Sequence, residues 1–347
     1  MKCRWLWLIA VLLAGPAFAK CDLTKVSDLK IAQEGNQITI PGKINGQPVK
    51  FLFQIAATHN MVLAPAANAL GLRVVEIGKH FKRDEIVNKM SIGQATIDEM
   101  EVDRFVFKST PVLVRGQREN YGQPQLVAVL GNDFLGQYDI EIDLKANRVT
   151  LYKTQGCEAA NLAYWSDSYN VAELEKGTRQ VVMNAKVNGQ DVRAILDSGS
   201  PFTTLTYQAA VKIGAAANLE FVDDRPVASD AVTLNRASAH YPANIFVNGA
   251  EPDLDAIGSG DIWIRQFDSF TLDQETIKPA RIRVRRFPEI TAMTGSRIVE
   301  RSAPTEEMLL GVDFLRSHHV LISRSQNKFY FTFNGEQKPF QTAAARE

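Results

Sequence analysis

Short stretches in which hydrophobic and polar residues alternate run through most of the chain. Alternation with a period of two, in segments rich in β-branched and aromatic residues, is typical of half-buried strands. The clearest such segments are residues 37–40, 49–53, 139–144, 149–152, 181–187, 193–196 and 329–333. Asn-Gly pairs at 45–46 and 188–189 separate strand runs and predict hairpin turns. The pattern therefore predicts a protein built mainly of strands.

A few short helices interrupt this pattern. They are expected at residues 66–70 and 207–213, and each is followed by a glycine that ends it. Asp133 and Asp313 stand where they are expected to cap two further short helices.

An internal repeat organises the chain. Residues 43–72 align without gaps with residues 186–215 at an offset of 143 positions. Leu-Gly-Asn-Asp-Phe-Leu at 130–135 matches Leu-Gly-Val-Asp-Phe-Leu at 310–315 at an offset of 180, and the larger offset also aligns 91–102 with 271–282. The sequence therefore predicts a duplication whose second copy carries 37 additional residues, the difference between the two offsets, between about 216 and 270.

The first nineteen residues predict export. Lys2 and Arg4 precede an apolar run at 5–14, and small residues surround position 18 at 17–19. This is the pattern of a secretory signal peptide cleaved before Lys20. An uncleaved anchor is the alternative, although the run is shorter than the roughly 20 apolar residues that span a bilayer. No later segment is long and apolar enough to span a membrane, so we expect a periplasmic or secreted bacterial protein.

The cysteines agree with this location. Cys3 leaves with the signal peptide, so Cys21 and Cys157 remain at the two ends of the first repeat. In an exported chain we expect them to form a disulfide around that repeat, with two free thiols as the alternative.

The overall composition excludes several classes of function. Lys plus Arg and Asp plus Glu number 39 each, so no basic surface for nucleic acid is indicated. The five histidines lack metal-ligand spacing, and no phosphate-binding or cofactor motif occurs, so we expect neither metal nor cofactor. Alternating arginines at 281–286 predict a charge-protected edge strand, with a docking patch for an acidic partner as the alternative.

The clearest chemical motif follows a predicted strand. Apolar residues 194–196 lead into Asp197, Ser198, Gly199 and Ser200. The strand would deliver the carboxylate to a tight loop, where the glycine permits close approach and nearby N–H and hydroxyl groups hold the carboxylate.

A second motif, Leu309-Leu310-Gly311, precedes a predicted helix. Together the two motifs resemble those of the retropepsin-like aspartic proteases of the pepsin/retropepsin superfamily, and the resemblance covers nearly the whole mature chain. It implies an all-β fold of two tandem acid-protease (retropepsin-like) β-barrel lobes with short helices, in which Leu310 and Gly311 support the Asp197 loop.

The resemblance also implies a domain layout. We expect a signal peptide at 1–19, a degenerate first lobe at 20–153, a linker at 154–178, a second lobe with the Asp-Ser-Gly motif and an enlarged flap region at 179–336, and a tail at 337–347. Gly258 and Gly260 would lie at the flap tip, and Trp263 would form an apolar wall beside it.

The first lobe departs from the family pattern. Catalysis in that family needs two aspartates that share a proton around one water. Gln54 stands at the position aligned with Asp197, and residues 54–56 replace the Asp-Ser-Gly motif. A glutamine can hydrogen-bond a water but can neither take nor deliver its proton. The first lobe keeps its own Leu130-Gly131 feature, so we expect its fold to be intact.

Three arrangements remain open at this point. The lobes pair within the chain, leaving one carboxylate opposite an amide; two chains form a homodimer through their second lobes and rebuild a pair of Asp197 carboxylates; or neither occurs. The leading expectation is an aspartic endopeptidase-like protein of the cell envelope, in which Asp197 activates water to act on a polypeptide substrate. The alternative is an inactive pseudoprotease that binds a peptide ligand or an envelope protein in the inter-lobe cleft.

Overall fold

A computed structural model describes ten segments of the chain, from Cys21 to Phe340. They are residues 21–34, 37–76, 90–117, 127–216, 220–221, 262–285, 291–294, 297–300, 307–335 and 339–340. The predicted signal peptide lies outside them. The described residues are mostly strand with a few short helices, so the predicted all-β class is confirmed.

The first lobe is a closed barrel. Its elements are β2 (Ala32–Glu34), β3 (Gln37–Ile44), β4 (Gln47–Phe53), β5 (Met61–Leu63), α1 (Ala64–Ala69), β6 (Val75–Glu76), β7 (Met90–Val102), β8 (Phe105–Gln117), β9 (Val127–Leu130) and α2 (Asn132–Leu135). The strands form one sheet in the order β2-β3-β4-β9-β5-β8-β7-β6, and an additional β3–β7 pairing closes six of them into the barrel. The alternating apolar residues of these strands fill its interior.

The second lobe repeats this plan as an open sheet. Its elements are β13 (Val182–Val187), β14 (Gln190–Leu196), β15 (Thr204–Thr206), α3 (Tyr207–Lys212), β16 (Glu220–Phe221), β17 (Ile262–Phe267), β18 (Phe270–Leu272), β19 (Glu275–Ile277), β20 (Ala280–Arg285), β23 (Met308–Leu310) and α4 (Val312–Ser317). The strand order is β16-β17-β20-β15-β23-β14-β13-β18-β19. A hairpin of β21 (Thr291–Thr294) and β22 (Arg297–Glu300) forms a separate two-stranded sheet.

A six-stranded sheet joins the lobes. It contains β1 (Asp22–Lys30), β10 (Asp139–Asp143), β11 (Arg148–Gln155), β12 (Asn170–Glu173), β24 (His318–Ser323) and β25 (Lys328–Phe333), in the order β1-β11-β10-β24-β25-β12. At its centre β10 pairs antiparallel with β24, with Ile140 opposite Ile322 and Ile142 opposite Val320. All four side chains belong to a single core that contains residues of both lobes, so the sheet fixes one lobe against the other.

A buried carboxylate lies on the central strand of this sheet. Glu141 accepts hydrogen bonds from Tyr152 Oη at 2.8 Å and Tyr164 Oη at 2.5 Å, and its other oxygen lies 2.7 Å from Nε2 of His319. Burial alone would raise the pKa of Glu141, but the hydrogen bonds from His319, Tyr164 and Tyr152 outweigh it and lower that pKa. The group therefore stays ionised at neutral pH and ties β10 to β24 and to the segment between the lobes.

The segment predicted as a polar linker, 154–178, is more ordered than its composition indicates. It contains the end of β11 and the whole of β12. Leu162 and Ala163 are buried against Leu321 and Tyr330 of the six-stranded sheet. The polar composition of this segment does not indicate its packing, because a few apolar side chains are enough to cover this part of the sheet.

The disulfide between Cys21 and Cys157 anchors this segment. The two sulfur atoms are bonded and their Cα atoms are 4.4 Å apart, at the end of the ladder where Asp22 pairs with Gln155. The bond closes a ring around the first lobe with a sequence separation of 136 residues. At the other end of the chain, Phe340 of the predicted tail is buried against the second lobe, so the lobe extends past residue 336.

One part of the predicted repeat alignment is wrong. In the first lobe Lys43 of β3 pairs with Glu101 of β7. In the second lobe Lys186 of β13 pairs with Thr271 of β18. Lys43 and Lys186 correspond at an offset of 143, so Glu101 corresponds to Thr271 and the offset in this hairpin is 170, not 180.

The error has a simple physical cause. A shift of ten residues is even, so it leaves every side chain on the same face of a strand and preserves the alternating pattern. The additional residues of the second copy consequently divide into 27 before this hairpin and ten after it.

The arginine-rich segment is also placed differently from its prediction. It forms β20, which lies between β17 and β15 in the interior of the sheet and not at an edge. Ile282 and Val284 point into the core, which accounts for the alternation equally well.

Candidate functional site

Asp197 lies at the end of β14 and is almost fully buried, with 2% of its surface exposed. Its Oδ1 accepts a hydrogen bond from the backbone N–H of Gly199 at 2.9 Å, and its Oδ2 accepts one from Ser200 Oγ at 2.7 Å. Burial raises the pKa of Asp197, and the hydrogen bonds from Ser200 and Gly199 offset only part of this effect. The carboxyl group therefore keeps its proton to a higher pH than an exposed aspartate does.

Leu310 and Gly311 lie beneath this loop, as the motif predicts. The backbone N–H of Asp197 donates to the carbonyl oxygen of Leu310 at 2.9 Å. A Cβ on Gly311 would lie 2.5 Å from the carbonyl carbon of Phe202 and 2.8 Å from the carbonyl oxygen of Ser200. Only glycine fits at this position, so the motif lets the loop rest directly on the chain below it.

Asp313 clamps the loop and is not a helix cap. Helix α4 begins after Gly311, and the Asp313 carboxylate reaches back from the first turn to accept hydrogen bonds from the N–H and Oγ1 of Thr203. Asp133 accepts from the N–H of Asn60 in the same way. Neither aspartate is the N-cap residue, since Gly131 and Gly311 occupy those positions, and Asp313 Oδ1 also accepts from the N–H of Phe314 in the first turn. Burial raises the pKa of Asp313 to about 6, against the lowering effect of these hydrogen bonds.

Gln54 occupies the equivalent position in the first lobe. Its backbone N–H donates to the carbonyl oxygen of Leu130 at 3.1 Å, as that of Asp197 does to Leu310. The side chain is buried, and its amide nitrogen lies 2.5 Å from the point where Gly199 would carry a Cβ. The carboxamide of the first lobe therefore packs directly on the Asp-Ser-Gly loop of the second lobe.

The hydroxyl group of Ser198 connects the two loops. It donates to the carbonyl oxygen of Phe53 at 2.7 Å and accepts from the N–H of Ile55 at 2.9 Å. These two residues flank Gln54, so the bonds hold Gln54 against the Asp-Ser-Gly loop of the same chain. Ile55, which aligns with Ser198, has no hydroxyl group and so cannot form the equivalent pair of hydrogen bonds to the second-lobe loop.

Packing around Ala56 reinforces this connection. Ala56 forms a small apolar cluster with Val182, Ile195 and Leu309 of the second lobe. Its carbonyl oxygen accepts a hydrogen bond from Nε2 of Gln180 at 3.2 Å. This loop of the first lobe thus packs directly against the second lobe.

Asn132 positions the first-lobe loop, a role that the sequence motifs did not predict. Its Nδ2 donates to the carbonyl oxygens of Ile55 at 2.7 Å and Ala57 at 2.9 Å, and Arg324 Nη2 donates to its Oδ1 at 2.6 Å. It holds the first-lobe loop in shape without an aspartate. A signal existed, because Asn132 is the one position at which the two six-residue copies differ, with Val312 in the second.

The predicted flap is only partly within the described residues. Gly258 and Gly260 lie outside them. Trp263 lies in β17, with its ring centre 5.6 Å from that of Tyr207 of α3, and packs on the core of the second lobe. Its place beside a flap stays a prediction, because the predicted flap tip lies outside the described residues.

The described segments lack a metal site and a membrane-spanning helix. No group of three His, Cys, Asp or Glu side chains there could hold a metal ion. No helix in the same segments has the length and hydrophobicity needed to cross a membrane.

Replacing each loop glycine with alanine tests this packing. Gly311→Ala should lower the free energy of unfolding by about 1–3 kcal/mol, because its Cβ meets backbone atoms that cannot move freely. Gly199→Ala should cost much less, because its Cβ meets the flexible end of Gln54. Urea denaturation gives both values, and adding Gln54→Ala should remove the Gly199→Ala penalty. Equal losses for the two single variants would contradict the described contacts.

The pKa of Asp313 predicts a pH dependence of stability. Because its pKa is raised in the fold, the contribution of Asp313 is fully present below about pH 3.9 and is lost as the pH rises through about 6. The stability of the wild type relative to Asp313→Asn should therefore fall by up to about 3 kcal/mol between those limits. Glu141→Gln is the matched control with the opposite sign, since the pKa of Glu141 is lowered. A pH-independent difference between wild type and Asp313→Asn would exclude a raised pKa.

Comparisons with known proteins add little beyond the fold. No protein-family model matches the chain, and no curated protein matches it. Among solved structures it is similar to a retropepsin-like aspartic protease from Rickettsia conorii, with 15% sequence identity and a TM-score of 0.25, over 39% of this chain and 96% of that chain. A likeness this distant says nothing about activity.

Proposed function

We propose that this protein is a non-hydrolytic relative of aspartic proteases that holds an extended polypeptide segment in the cleft between its lobes. One observation carries the proposal. Ser198 bonds to Phe53 and Ile55 of the same chain, which supports the assignment of Gln54 to the position of a second catalytic aspartate.

The chemistry of the site supports binding over hydrolysis. A catalytic dyad needs one carboxylate to take a proton from water while the other protonates the scissile carbonyl oxygen. Asp197 is the single carboxyl group supplied by the two loops, and Gln54 has no titratable proton. A bound peptide should therefore remain intact.

A dyad rebuilt from two chains is disfavoured for a structural reason. A second Asp197 could approach only if the first lobe left its place. This would break the Ser198 bonds, expose the Ala56 cluster and open the six-stranded sheet that carries the shared core. Leaving these buried polar groups without hydrogen-bond partners and exposing these apolar groups to water would both be unfavourable in free energy.

The proposed location is the bacterial cell envelope. It rests on the signal-peptide pattern of residues 1–19 and is supported by the disulfide between Cys21 and Cys157, since disulfides persist in oxidising compartments. The proposed partners are accordingly extended segments of exported polypeptides.

A randomised library of octapeptides with blocked termini tests the proposal. The mature, disulfide-bonded protein is immobilised and the peptides that it retains at mildly acidic pH are analysed by mass spectrometry. We expect retention of intact peptides and no cleavage products. Asp197→Asn should retain similar amounts, because its neutral side chain resembles the protonated carboxyl group favoured by burial.

Two results would overturn the proposal. Failure of the wild type to retain any peptide would remove the binding function. Cleavage products that disappear in Asp197→Asn and in the presence of a statine-type analogue would instead establish the aspartic endopeptidase, the second candidate.

A further inference from the structure

The side chain of Gln54 is buried but has no hydrogen-bond partner. The residue is 5% exposed. Its backbone groups are both used, since its N–H donates to the carbonyl oxygen of Leu130 and its carbonyl oxygen accepts from the N–H of Ala57. Among the described residues, neither Oε1 nor Nε2 of its carboxamide forms a hydrogen bond. Because a buried amide without partners is unfavourable, this group requires a partner from outside the described chain.

The equivalent carboxylate of the second lobe does have partners within its own loop. Asp197 accepts hydrogen bonds from the N–H of Gly199 and from the hydroxyl group of Ser200. The repeat aligns Ser200 with Ala57, which has no hydroxyl group. The first-lobe loop therefore forms no side-chain bond to Gln54, and the carboxamide remains available to a ligand.

Both polar atoms of this carboxamide border open space. A few side-chain nitrogen and oxygen atoms of the described residues are completely enclosed without a hydrogen bond, but neither atom of Gln54 is one of them. The amide nitrogen lies 2.5 Å, and the carboxamide carbon 2.9 Å, from the point where Gly199 of the second lobe would carry a Cβ. The space that the carboxamide borders therefore lies where the two lobes meet.

A carboxamide matches the backbone of an extended peptide. In an antiparallel ladder, the residues of a hydrogen-bonded pair exchange two bonds, because the N–H and the C=O of one extended residue point to the same side. A glutamine side chain presents the same two groups, with Nε2 as a donor and Oε1 as an acceptor. Gln54 can therefore take the place of one residue of a neighbouring strand.

We propose that Gln54 binds the backbone of the polypeptide held between the lobes, with Nε2 donating to the carbonyl oxygen and Oε1 accepting from the N–H of one and the same ligand residue. The inference rests on the proposed peptide-binding function and specifies what that function recognises. Both bonds involve backbone groups, so every residue type fits at this position except proline, which has no N–H. The ligand class is therefore extended polypeptide with a residue other than proline at the contact.

Ester analogues of a bound peptide test this inference. The probes are the blocked octapeptide that wild type retains most strongly from the randomised library and a set of analogues, each with one backbone N–H replaced by oxygen. For wild type, the analogue that lacks the N–H bound by Oε1 should have a roughly tenfold higher dissociation constant. Gln54→Met keeps the length of the side chain, should bind the parent peptide roughly tenfold more weakly, and should show no further loss with that analogue.

Two further variants make the result specific. Gln190→Met removes an exposed carboxamide at the start of β14 and should leave every dissociation constant unchanged. Gln54→Glu keeps an acceptor for the ligand N–H in either protonation state, so the effect of the ester should persist in it. This variant tests the contact if Gln54→Met fails to fold, and thermal unfolding establishes which variants are folded.

The outcomes separate the two proposals. Full binding by Gln54→Met, or an ester effect of the same size in Gln54→Met and wild type, would overturn the backbone contact and leave peptide binding standing. Loss of the ester effect in Gln54→Glu would also overturn the contact. Retention of no peptide by wild type would overturn both proposals.

Discussion

The hydroxyl group of Ser198 is the contact on which the site depends. It is 1% exposed and satisfies a carbonyl oxygen and an N–H group on either side of Gln54. Buried polar groups are costly without partners, so this pair of bonds holds the two loops in register. This register brings Gln54 against the loop of Asp197, and the proposed binding function rests on that contact.

The two lobes hold their equivalent loops with different side chains. In the second lobe the Asp197 carboxylate holds its own loop. The carbonyl oxygens of the first-lobe loop are instead bound by Asn132 of the first lobe and by Gln180 of the second lobe, and Arg324 holds Asn132. These replacements keep the loop in shape without a titratable group.

The sequence was sufficient for the fold class and for the position of the Asp197 loop over Gly311, because strand alternation and the need for glycine under a loop are local properties. It could not assign the partner of that loop, since the Asp-Ser-Gly residues are the same whether the facing loop comes from their own chain or another. The hairpin offset failed because an even shift preserves alternation. The aspartates of α2 and α4 were misassigned because a first-turn carboxylate can bind either the helix or a neighbouring loop.

The most direct test of the central claim is peptide hydrolysis by wild type and Gln54→Asp across a range of protein concentrations at mildly acidic pH. If the loops pair within one chain, wild type remains inactive at every concentration. Gln54→Asp, which supplies a second carboxylate, should hydrolyse peptides at a rate proportional to protein concentration. The double variant Gln54→Asp/Asp197→Asn should have no activity. Hydrolysis by wild type that rises with the square of its concentration would show that two chains supply the carboxylates, and would contradict the account.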